Sequence, residues 1–126
     1  MKIQFTVETT PYPQPRPRVT RRGVFEPRRI SNYKKLIGLK GRLAMRDRPL
    51  FASPIRIELS IRRNIKADSQ RFGDIDNLIK SVLDALNGVC YVDDRLVVSL
   101  FVRKQQSDRE GVDILISDEV ISFVDR

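Results

Sequence analysis

Asp74-Ile-Asp-Asn-Leu-Ile-Lys-Ser-Val-Leu-Asp-Ala-Leu-Asn-Gly-Val-Cys-Tyr-Val-Asp-Asp94 sets five carboxylates and one lysine in a chain that is otherwise strongly basic. Ile75, Leu78, Ile79, Val82 and Leu86 recur at helical spacing, which predicts an amphipathic helix with its apolar stripe turned inward. Asp76, Lys80 and Asp84 then share the opposite side. Asp74 stands at the N-cap or just ahead of it, and Asn87-Gly88 offers a helix end with Gly in the left-handed region. Val89-Cys90-Tyr91-Val92 reads as extended. A twelve-residue helix rises about 18 Å and six extended residues returning antiparallel cover about 20 Å, so Asp93-Asp94 is expected beside the helix start.

That return path gathers Asp74, Asp76 and Asp94 into one cluster. Three crowded carboxylates resist ionising together unless a cation neutralises them, and oxygen-only ligands select a hard ion, Mg²⁺ or alternatively Mn²⁺. The chain has no His and a single Cys, which argues against a His-based zinc site and any triad needing an imidazole. The chemistry expected of such a cluster in a basic protein is metal-dependent cleavage of a phosphodiester.

These residues resemble the RusA family of Holliday-junction resolvases, whose pattern is Asp-x-Asp-Asn-x-x-Lys, a further aspartate and Leu on the same helix, then Asp-Asp after a short turn. Every element is present, in order, between Asp74 and Val98. The segment Pro13-Gln14-Pro15-Arg16-Pro17-Arg18 is also similar to that family. The resemblance implies a small homodimeric, Mg²⁺-dependent endonuclease that cuts four-way DNA junctions by paired nicks. Catalytic roles are carried onto Asp74, Asp76, Lys80 and Asp94; the same three aspartates are the metal ligands, with Asp93 a further candidate. Taken singly, each residue also has an ordinary role. Asp74 is a helix cap, and Asp76–Lys80 and Lys80–Asp84 are i,i+4 pairs that any solvated helix face carries; it is the set in its order that points to chemistry.

The net charge is +8, and its distribution says more than its size. Residues 16 to 48 hold twelve Lys or Arg against only Glu26 and Asp47. A basic region beside an acidic cluster suits a protein that holds phosphates with one part and the attacking metal with another. Arg16, Arg18, Arg21, Arg22, Arg28, Arg29, Lys34 and Lys35 are the candidate DNA contacts, and Phe72, in a polar loop, is a candidate base-stacking residue. At 126 residues the chain is expected to be one domain, residues 1 to 126, large enough for a modest core. No apolar stretch approaches the roughly 20 residues needed to cross a bilayer, so a soluble, cytoplasmic protein is expected; the family resemblance implies a bacterial or prophage host. Cys90, in an apolar run, reads as a small buried residue.

Elsewhere Ile3, Phe5 and Val7 alternate with polar residues and predict an opening strand, followed by a long Pro- and Arg-rich loop with a turn at Gly23. Ser31 is the expected cap of a basic helix running to about Arg46, with Tyr33, Leu36, Ile37, Leu43 and Ala44 on one face. Gly38 and Gly41 weaken that helix unless another element approaches closely there. Ile55, Ile57, Leu59 and Ile61 alternate cleanly, as in a half-buried antiparallel strand. Residues 96 to 104 read as a long strand, with 111 to 117 as its hairpin partner across a polar turn, and 120 to 124 as a short terminal piece. The fold class expected is α+β, a mostly antiparallel sheet with two helices. Two other functions fit the same residues: a DNA-binding module without catalysis, and a metal-dependent nuclease acting on another phosphodiester such as RNA.

Overall fold

Alternation of period two and of period 3.6 builds two layers here, a sheet and a pair of helices that cover one of its faces. The computed structural model describes residues 1 to 15, 18 to 65 and 73 to 119, with the backbone alone for residues 18 to 20, 24 and 25. The chain runs β1 (Lys2–Val7), β2 (Arg18–Thr20), β3 (Gly23–Phe25), α1 (Arg28–Met45), β4 (Ile55–Arg63), α2 (Ile75–Leu86), a 3₁₀ turn (Asp94–Leu96), β5 (Val97–Gln106) and β6 (Gly111–Ser117). The fold is α+β, as expected, with a four-stranded mixed sheet in the order β1-β6-β4-β5 and a small β2–β3 hairpin apart from it. Gly23, at φ +112°, makes the tight reversal that the hairpin needs.

β4 is buried at Ile55, Ile57, Leu59 and Ile61 and only half-buried between them. These four, with Val112, Ile114 and Ile116 of β6 and Ile3 and Val7 of β1, pack against Tyr33, Ile37 and Met45 of α1 and Leu78, Val82 and Leu86 of α2. β4 is antiparallel to β6 but parallel to β5. The expected hairpin between residues 96–104 and 111–117 therefore does not form; β4 lies between them. The connection at residues 107 to 110 crosses the end of β4 and is held there. Ser107 donates its N–H to the Arg63 carbonyl at 3.2 Å, Arg62 donates to the Arg109 carbonyl, and the Arg63 guanidinium stands 3.7 Å from the Glu110 carboxylate. The Arg-Arg pair closing β4 satisfies the crossing loop, which frees β5 to follow α2 into a parallel β-α-β unit.

α1 begins a turn earlier than Ser31, after Pro27, whose fixed φ suits a helix start. Its buried stripe is Ile30, Tyr33, Ile37, Gly41 and Met45, spaced at i,i+3 and i,i+4, and Leu43 is 61% exposed rather than inward. Small residues on this side of α1 let α2 come close. A Cβ on Gly41 would lie 2.7 Å from Leu86 Cδ2 and 2.9 Å from Cys90 Sγ, and one on Gly38 would lie 3.2 Å from the Ala85 carbonyl oxygen. Gly41→Val is accordingly expected to destabilise by about 1–3 kcal/mol through overpacking, despite the better helix propensity of Val. Urea denaturation measures it, and a stability equal to wild type would mean the helices are not in contact at Gly41. Cys90 is buried beside it, and burial pushes its thiol up to about 12.

After α2 the chain does not run out extended. Gly88, at φ +76°, ends the helix as expected, but the Val89 and Cys90 N–H groups both turn back to the Leu86 carbonyl. Only from Tyr91 does the chain lead away, toward the 3₁₀ turn. The return leg is thus shorter than six extended residues. Residues 120 to 124, the expected terminal piece, lie outside the described residues. Among the described residues no helix is long and apolar enough to cross a membrane.

Candidate metal and nucleic-acid site

Asp74 is the N-cap of α2, Asp76 lies in its first turn, and Lys80 follows one turn later; all three are exposed. Asp76 and Lys80 share a surface because Leu78, Ser81, Val82 and Leu86 take the buried stripe and leave the opposite side to solvent, and Asp74 stands just ahead of them at the cap. Asp74 occupies the cap position without capping: its side chain makes no bond to the first-turn N–H groups. An Asp at this place normally contributes about 1 kcal/mol through that bond, so its carboxylate is left open at some cost to the helix.

Asp94 is elsewhere. It opens the 3₁₀ turn leading into β5 at Val97, which is in register with Ile55 at the start of β4. The residue before Asp74 lies beside Lys104, which is in register with Ile61 near the end of β4. About 20 Å of β5 separates Val97 from Lys104. The Tyr91 hydroxyl donates to the Leu83 carbonyl at 2.6 Å, and its pKa is raised first by burial and then by the charge of Asp94. Asp94, just before β5, therefore lies toward the opposite end of that strand from the Gly73 carbonyl. Among the described residues no group of three or more Asp, Glu, Cys or His could hold an ion. Asp74, Asp76 and Asp94 are therefore not gathered into one three-carboxylate group within the described residues of the single chain.

The Asp93-Asp94 doublet divides its work. Asp93 caps the 3₁₀ turn, its carboxylate accepting the Arg95 N–H at 3.0 Å and lying 3.9 Å from the Arg95 guanidinium. That backbone bond, before any other influence, holds the Asp93 carboxyl below its ordinary range. Asp94 is the exposed member without a capping duty. Asp84 stands 3.8 Å from Lys34, an ion-pair role.

The Pro-rich segment is strapped across the start of α2. Gln14 donates its N–H to the Asn77 carbonyl at 2.9 Å, and the Ser81 hydroxyl lies 2.9 Å from the Tyr12 carbonyl. Tyr12 meets Tyr33 edge-to-face at 5.7 Å between ring centres, and the Arg29 guanidinium lies 5.5 Å over the Tyr12 ring. Gln14 and Lys34 both donate to Glu26, at 3.1 and 2.8 Å, and the Lys34 bond above all lowers the Glu26 pKa. Lys34 and Arg29 are thereby engaged in holding the segment. Arg21, Arg22, Arg28 and Lys35 are exposed, and Arg18 lies in β2. Arg16 and Phe72 lie outside the described residues. Ser81, Gln14 and Tyr12 were not singled out from sequence, although a serine on an otherwise apolar helix stripe signals that a backbone group must meet it there.

Mg²⁺ is commonly held by one or two carboxylates, with water and substrate phosphate completing its shell. Asp74 and Asp76 are exposed oxygen donors of that kind, and the Asp74 side chain makes no cap bond. The sequence profile of the endodeoxyribonuclease RusA family matches residues 8–117 of this chain, and the chain belongs to that family. It is also 29% identical to the Bacillus subtilis (strain 168) protein YqaN, described only as uncharacterized, over 92% of this chain and 96% of that protein.

Proposed function

We propose that this chain is a Mg²⁺-dependent, structure-specific endodeoxyribonuclease that resolves four-way DNA junctions by paired nicks and works as a homodimer. The observation that carries the reading is the meeting of opposite charges at one helix start: the Asp74–Asp76 pair, with Lys80 a turn beyond, under the edge of a segment that leads directly into the Arg-rich hairpin. Asp74 and Asp76 hold the ion in this reading, and Mn²⁺ can replace it. When bound, Mg²⁺ lowers the pKa of an attacking water and neutralises charge on the phosphate. Lys80 contacts the scissile phosphate. Arg21 and Arg22, with Arg16 and Arg18, hold the DNA backbone alongside Arg28 and Lys35, and Phe72 stacks on an unpaired base.

Asp94 enters this reading from a second copy. β5 is an edge strand, and Val98, Leu100 and Phe101 on it are exposed. Two such edges paired antiparallel about a two-fold axis set the start of one β5 against the end of the other. That arrangement carries the partner's Asp94 toward Asp74, and it gives two sites related by the two-fold symmetry that a four-way junction also has. The rival reading as a binding module without catalysis gives no reason for Asp74 to forgo its cap.

Incubating the protein with a synthetic four-way junction, a linear duplex, a single strand and an RNA hairpin tests the reading. Cleavage confined to the junction and abolished by EDTA is expected; equal cleavage of the RNA would favour a nuclease of another class. Replacing Arg16, Arg18, Arg21 and Arg22 with Gln should weaken binding to every DNA. For every phosphate that the arginines cease to neutralise, the log–log salt slope should flatten by roughly 0.9. An unchanged slope would make the hairpin a solvated surface.

A further inference from the structure

An aspartate at a helix N-cap ordinarily turns its carboxylate onto the N–H groups of the first turn. Asp74 has an extended backbone, at φ −74° and ψ 144°, and makes no such bond. The peptide that leads into it is gripped from two sides. Gly73 has φ +93°, a region open to glycine, and a Cβ there would lie 2.7 Å from Pro13 Cγ and 2.8 Å from Pro13 Cβ. The Lys104 ammonium donates to the Gly73 carbonyl oxygen at 2.9 Å. That oxygen belongs to the peptide plane joining Gly73 to Asp74, so its orientation constrains φ of Asp74 and the direction in which the carboxylate leaves.

A lysine on an edge strand has an ordinary use, since its charge discourages unwanted strand pairing. That use leaves the ammonium in water. Here it is spent on a backbone carbonyl of another element, and a charged donor makes the stronger kind of hydrogen bond. Pro13, which sits on Gly73 from the other side, belongs to the segment whose next residue, Gln14, bonds Asn77 of α2. Three elements thus converge on one peptide: the Pro-rich segment, the edge strand and the start of α2.

We propose that Lys104 is a positioning residue, which holds the Gly73–Asp74 peptide so that the Asp74 carboxylate stays off the helix and open to a divalent ion. The proposal rests on the Mg²⁺ nuclease reading. Two measurements on the full-length protein test it: Mn²⁺ affinity without DNA, from the loss of the free-ion electron paramagnetic resonance signal, and single-turnover junction cleavage across a Mg²⁺ series. Lys104→Met should weaken Mn²⁺ binding and raise the Mg²⁺ midpoint by about 10-fold or more, the usual effect of losing a group that orients a ligand. Junction affinity in Ca²⁺ should change little. Lys104→Arg, which can donate to the same carbonyl, should restore both metal readouts.

Unchanged Mn²⁺ affinity in a folded Lys104→Met protein overturns the proposal. So does weakened junction affinity with a normal Mn²⁺ constant, which would make Lys104 a phosphate contact. Should Lys104→Met fail to fold, Gly73→Ala serves instead, because its Cβ must displace Pro13 and disturb the same peptide; normal Mn²⁺ binding there would equally overturn the proposal. A wild-type protein that neither binds Mn²⁺ nor cleaves would instead refute the nuclease reading itself.

Discussion

Asp76→Asn is expected to bring Mg²⁺-dependent junction cleavage below about a tenth of the wild-type rate while DNA binding is kept or tightened. The substitution removes a metal ligand, and it also removes a negative charge that repels phosphate. Folding should be little affected, since Asp76 is exposed and is not the capping residue of α2. Asp94→Asn should behave alike and Asp84→Asn should stay active, Asp84 being the ion-pair partner of Lys34. Because Asp94 is proposed to act across the dimer, mixing the Asp76→Asn and Asp94→Asn proteins should restore nicking: one of the two sites in a mixed dimer is then intact. No recovery in mixed dimers would place the whole site in a single chain, and full activity of Asp76→Asn would dismiss the metal site.

How legible the site was depended on how local its determinants are. α2 could be read because its stripe and its exposed charges repeat within twelve residues, and β4 because every second residue from Ile55 to Ile61 is buried. The hairpin reading of residues 96 to 117 failed for a non-local reason. A four-residue polar turn permits a hairpin, but the turn is satisfied instead by Arg62 and Arg63 from a strand more than forty positions earlier. The placement of Asp94 failed by the same logic at shorter range. Val89 and Cys90 sit in an apolar run that suits a strand, yet their N–H groups return to the Leu86 carbonyl, and β5, which follows, runs parallel to β4 and starts about 20 Å of strand away from Lys104, the partner of the Gly73 carbonyl. The strap across α2 is hard to read because it is made chiefly of backbone groups of Tyr12, Gln14 and Asn77, and Ser81 is its one side-chain signal.

Lys80→Met is the second substitution with a large expected effect. If the ammonium stabilises charge developing on the phosphate, the single-turnover rate on a bound junction should fall roughly 10²-fold or more with little change in affinity. Lys80 is exposed one turn beyond Asp76, and no ion pair within 4 Å ties it to Asp76 or Asp84 among the described residues. A role limited to screening those neighbours would cost no more than about 0.5 kcal/mol per pair. Rate and thermal stability measured on the same variant separate the two: a near-normal rate with a lowered Tm would return Lys80 to the helix surface.

The most direct measurement is nick mapping on a four-way junction labelled in turn on each strand, with protein in excess and with Mg²⁺ or EDTA. The account predicts nicks at symmetry-related positions in two opposed strands, appearing together and only with the metal. Nicks that ignore the two-fold axis, or that persist in EDTA, would contradict it.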